Sequence, residues 1–189
     1  MSRTTHRNLT SLAVGLVLGA ALLRLLPHPP NFAPVTALAL FAGACLPDRR
    51  LALLLPLAAM TLSDLALGLL AGDPAVAFHR TVPVVYGAFV AVALLGFLLR
   101  GRRRPLTVAA ATLAGSGTFF LLTNLGVWAL GDLYPHTWEG LAAAYVAALP
   151  FFGNALLGDA FYSALLFGTL AMAERRLAAG PGRPQRAAG

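Results

Sequence analysis

At 189 residues, 58% hydrophobic and 11% charged, the chain carries less than half the roughly 25% charge of a soluble domain. A mean hydropathy of +0.75 excludes an ordinary water-soluble globule and points to a multi-pass membrane protein whose single helical bundle takes up the whole length. The net charge is +7, and the 14 basic residues behind it are all arginine, with no lysine, most of them set in short clusters between apolar runs. That is a topology signal, not a phosphate-binding surface, so nucleic acid is not an expected partner.

The elements follow in chain order. A first span over 9–26 carries Gly15 and Gly19, a small-xxx-small surface suited to a partner helix. Its 18 residues exceed the core of a signal peptide, and Arg24 stands where small residues should precede cleavage, so it reads as a span. "PHPPN" leads to a short second span, 34–46, with Pro34 in its first turn. After "PDRR" a third span, 51–71, contains Asp64 within "TLSDLALGLL". "GDPAVAFHR" precedes the fourth, 81–99, and "RGRRRP" the fifth, 106–130. "GDLYPHTWEG" opens a last region, apolar over 141–173, that Pro150 divides. The expectation there is an outer half-helix, a break at "PFFGN", and one full crossing over 153–174. The lone Cys45 rules out an intrachain disulfide and any cysteine metal cluster, and no metal site is expected.

The fold expected is all-α: six transmembrane helices plus the outer half-helix, one domain over 1–176, and a disordered tail over 177–189. With the N-terminus inside, twelve arginines are cytoplasmic, while Arg24 and Arg80 lie outside. The chain is then an inner-membrane protein with both termini in the cytoplasm.

Ionisable residues inside a membrane are functional candidates. Helical rise puts Asp64 about 10 Å, and Asp159 about 9 Å, below the outer surface. Asn124 and Trp128, one turn apart, fall in the outer third of the fifth span. Asn154 and Asn31 stand at helix entrances, and Tyr162 shares a face with Asp159. The N-termini of the second and last spans add free N–H groups on the same side. Asp64, Asp159, Asn124, Asn154, Trp128, Tyr162 and Asn31 are therefore the expected ligand-binding set. The two carboxyls should lie within roughly 10 Å, close enough to contact one small molecule.

The stretches "HPPNFAPVTALALFAGACLP", "LPLAAMTLSDLALGL" and "FFLLTNLGVWALGDLYPHTWEGLAAAYVAALPFFGNALLGDAFYSALLFG" resemble a bacterial membrane family of unknown function, some members of which are described as transport proteins. More distantly, the chain is similar in architecture to the substrate-binding S components of energy-coupling-factor vitamin transporters. That second resemblance implies a ligand site near the outer face, with Gly15 and Gly19 meeting a coupling subunit. The family's surface is usually built on alanine, and the short second span and "PHPPN" loop depart from its pattern.

Three functions are weighed. One is a substrate-binding transport subunit for a small molecule. It would be energised by a partner, because no GxxxxGK[ST] sequence is present. Another is a non-catalytic membrane scaffold. The last is an intramembrane aspartyl protease. Its Gly-x-Gly-Asp motif fails at Leu156 in "LLGD", and the companion Pro-Ala-Leu motif is missing, so no enzymatic activity is expected.

Overall fold

Proline and glycine punctuate an otherwise apolar sequence, and most helices start or stop at that punctuation. A computed structural model describes residues 3–179. All regular structure among them is helical: α1 (Arg3–Leu23), α2 (Val35–Cys45), α3 (Arg49–Ala71), a 3-10 turn (Pro74–Val76), α4 (Val82–Phe97), α5 (Pro105–Leu130) and α6 (Trp138–Ala179). The Asp48 side chain caps α3 by accepting from the Leu51 N–H at 2.7 Å, and Gly72 ends the helix at φ +66°.

Four helices, α1, α3, α5 and α6, are long and apolar enough to cross a membrane. The other two, α2 and α4, have 11 and 16 residues, short of the ~20 a crossing takes.

The expected break at Pro150 is not there. Helix α6 runs unbroken for 42 residues with Pro150 inside it, as α3 runs through Pro56. An interior proline removes one backbone bond, which a membrane helix tolerates when the remaining turns and its neighbours hold it. At 1.5 Å per residue α6 is about 63 Å long, twice the bilayer core. Residues 177–179 are helical, not tail; residues 180–189 lie outside the described residues.

The helices form a ring around a centre. Contacts run α1 to α3, α3 to α4, α4 to α5, α5 to α6 and α6 back to α1, and α2 touches all five. Nine of the eleven residues of α2 are buried, Leu38, Leu40 and Phe41 completely. Its closest neighbour is α4. A Cβ on Gly43 would fall 2.0 Å from the Ala93 carbonyl oxygen, and one on Gly96 2.4 Å from that of Leu40. Such backbone approach is how helices associate where lipid removes the hydrophobic drive.

One end of the bundle is rich in arginine. There Arg100, from the α4–α5 loop, donates to the carbonyls of Gly43 (2.9 Å), Leu46 (2.9 Å) and Pro47 (3.2 Å), closing the C-terminal end of α2. Arg103 pairs with Glu174 at 2.9 Å. At the opposite end Arg80 reaches Asp132 at 2.6 Å, setting the α3–α4 and α5–α6 loops side by side.

Candidate functional site

Because α2 is about 16 Å long and its C-terminal end lies at the arginine-rich end, its N-terminus stops inside the bundle. A helix N-terminus exposes N–H groups that need partners, the more so away from water. The local sequence supplies no cap: Pro34 occupies the N-cap position and makes no side-chain hydrogen bond. The cap comes from another helix. The carboxylate of Asp159, on α6, faces the backbone N–H groups of Thr36 and Ala37 and the Thr36 hydroxyl. Its Oδ2 also accepts from Ser116 Oγ at 2.6 Å. Asp159 is only 3% exposed, held by hydrogen bonds and the positive end of a helix dipole. One turn deeper, Thr112 Oγ1 donates to Ser163 Oγ at 3.0 Å. The absence of a side chain at Gly158 lets the loop at Phe32 and Ala33 lie against α6 beside this acid: a Cβ there would meet the Phe32 Cα at 3.2 Å.

A cleft of about 220 Å³ opens above this cap, toward the end away from the arginines. Its polar lining is Asn31, Thr36, Ser116, Thr123, Asn124 and Asp159, and its aromatic walls are Phe119, Phe120, Phe151 and Phe152. Asn31 adopts the left-handed conformation (φ 61°) that asparagine tolerates. Asn124 donates its Nδ2 to the Phe120 carbonyl at 2.8 Å, leaving its Oδ1 for a ligand. The exposed loop 26–31 forms part of the rim. Irregular backbone at this depth is tolerated only where it is packed in protein or meets water.

Three of the expected ligand residues, Asn31, Asn124 and Asp159, thus share one cleft. The others are elsewhere. Asn154 donates to the Pro30 carbonyl at 3.2 Å, fastening the loop. The ring of Tyr162 packs against Phe32 and Phe161 at 5.8 and 5.1 Å. Trp128 donates its Nε1 to the Pro135 carbonyl at 3.0 Å, at the far end of α5. Gly15 and Gly19 have open space where side chains would project.

Asp64 is also apart, which corrects the expectation of a single two-acid site. Helices α3 and α6 make no contact, and α2 packs between them. The Asp64 Oδ1 accepts from Arg24 Nη2 at 2.8 Å, and Oδ2 from the Tyr86 hydroxyl at 2.9 Å. Arg24 also donates to Ser63. The two acids differ in depth as well. Asp64 lies seven residues, about 10 Å, from the end of α3. Asp159 lies 21 residues, about 31 Å, from the start of the unbroken α6.

Sequence reasoning missed Arg24, Tyr86, Thr36, Ser116, Arg100 and the four phenylalanines. Two signals were available. Arg24 is the one cation the sequence sets at the C-terminal end of the first span, on the side where the expected topology also puts Asp64. Thr112, Ser116 and Asn124 recur at multiples of four on one face of α5.

The chain belongs to DUF6580, a family of unknown function, whose profile matches residues 4–183. No curated protein and no solved structure matches it. What this DUF6580 chain offers chemically is an aromatic cleft with two asparagines over a capped helix end. Among the described residues that line the cleft, Asp159 is the one carboxyl.

Proposed function

We propose that this membrane protein is a substrate-binding transport subunit whose cleft above α2 takes a small molecule. One observation carries the reading: the cleft joins four aromatic side chains to a few convergent polar groups, the composition of a ligand pocket. In this reading the chain crosses the inner membrane six times, with α2 and the loop 24–34 together making the second crossing. Both termini are cytoplasmic, as the clustered arginines favour. The chain itself catalyses no reaction. A partner subunit supplies energy and docks on α1, where Gly15 and Gly19 leave their surface open. The likeness to S components is one of helix number and of a site on one side, an analogy of architecture.

A second reading, a non-catalytic scaffold, draws on one specific observation: Asp159 joins α6 to Ser116 of α5 and to the N-terminus of α2, a packing role. One experiment separates the two. The chain is purified from native membrane beside Ala155→Phe, which fills the cleft, and co-purifying small molecules are identified by mass spectrometry. A compound enriched with the parent chain and absent from the variant supports the transport reading. Identical small-molecule profiles from two well-folded proteins sink it.

A further inference from the structure

A second cavity, about 480 Å³, lies between α5 and α6 on the surface turned away from α2. Val108, Ala109 and Leu113 line it from α5, and Ala160, Ala164 and Gly168 from α6. Small residues on α6 keep its floor low, and neighbouring side chains point outward: Leu106, Leu113 and Leu157 are 82%, 58% and 65% exposed. In a bilayer this surface faces acyl chains. The only polar side chains in the groove wall away from its mouth, Thr112 and Ser163, bond to each other, so the groove asks for nothing polar along its length.

Its mouth differs. Arg103 lines the groove at the arginine-rich end, where Glu174 and the Cys45 thiol engage it at 2.9 and 3.6 Å. Its neighbours Arg102 and Arg104 are exposed, and among the described residues their side chains have no ion pair or hydrogen bond. The first turn of α5 begins here without a side-chain cap, and its positive end points the same way. An apolar groove that reaches Arg103 at its mouth, with an exposed, unpaired arginine on either side of that residue in the chain, matches an anionic lipid: chain below, phosphate above.

We infer that the α5–α6 groove binds an anionic phospholipid, one acyl chain lying along Ala109, Ala160 and Ala164 and its phosphate held by Arg102 and Arg104. A partner helix is the other occupant such a groove admits, but it would leave the two free arginines unanswered. The site is separate from the cleft and stands whether or not the chain takes part in transport.

Native mass spectrometry of the full chain tests this, with phosphatidylglycerol and phosphatidylcholine of identical chains supplied in equal amounts. Retention of phosphatidylglycerol should exceed that of phosphatidylcholine by roughly fivefold for each arginine engaged. Arg102→Ala with Arg104→Ala should bring the two lipids close to parity. Ala164→Phe, which fills the groove, should remove the bound lipid with both arginines intact; Ala109→Phe on the facing helix is the second variant should the first not fold. Excess inorganic phosphate should leave the lipid in place. Equal retention of both lipids by the parent chain overturns the proposal, as does a phosphatidylglycerol adduct that survives groove filling. Displacement by phosphate alone, or a chain dimer that groove filling dissolves, also overturns it, the dimer by assigning the groove to protein contact.

Discussion

Asp64 and Asp159 are both set among apolar helices, and they are held in opposite ways. Asp64 faces a formal cation: Arg24, with Tyr86 bonding the second oxygen. Both members of that pair keep some solvent contact, their side chains 12% and 18% exposed. Asp159 has no cation among its partners. It faces a helix end and two hydroxyls, and it is the more deeply buried. The contrast shows two solutions to one problem. An ion pair tolerates partial wetting because both charges still reach water. Fractional charges from N–H groups suffice only where geometry fixes several of them around the carboxylate.

Substitutions can break this contrast. The largest effect is expected from Asp159→Ala, which strips the cap from α2 and leaves buried N–H groups without a partner. It should cost about 3 kcal/mol in denaturant unfolding in detergent. Asp159→Asn keeps an acceptor oxygen and should cost about 1 kcal/mol. Equal losses in the two variants would mean that charge, not capping, is what the site needs.

Asp64→Ala comes next, at about 2 kcal/mol, because it strands a half-buried Arg24 whose residual wetting lowers the penalty. Adding Arg24→Ala should recover part of that loss. A double variant less stable than Asp64→Ala alone would show that Arg24 holds the loop through other contacts. Tyr86→Phe, removing one hydrogen bond to Asp64, should cost about 1 kcal/mol in the same assay.

The smallest effect is a coupling. Asp64→Asn and Asp159→Asn share no partner, so their costs should add within about 0.5 kcal/mol. A coupling of about 1 kcal/mol or more in the double-mutant cycle would rejoin the two acids into one site.

The helices themselves were legible because apolar runs and proline starts act locally. The third and fifth spans, expected at 51–71 and 106–130, appear as Arg49–Ala71 and Pro105–Leu130. Pro150 was not legible: the same residue type sits inside α3 as Pro56, and nothing in the flanking sequence separates a broken helix from one that continues. Asn31, Asn124 and Asp159, expected on one level, line one cleft. The pairing of Asp64 with Asp159 failed because the depth of Asp159 was counted from a break at Pro150 that is not there, and because depth says nothing about azimuth. Which helix lies between two others depends on contacts such as Gly43 against Ala93, which no local pattern announces.

The shortness of α2 has an electrical consequence. In a bilayer, with water filling the cleft, the potential of that side would reach down to Ser116, which lies eleven residues of α5, about 17 Å, from Pro105. A transmembrane voltage worth about 2.3 kcal/mol per unit charge at 100 mV then falls over roughly half of the ~30 Å bilayer core. The local field is about doubled, and it acts along the axis of α2. Charge displaced between Asp159 and Arg100 within that layer senses nearly the full membrane voltage, whereas charge moving in the cleft above it senses little.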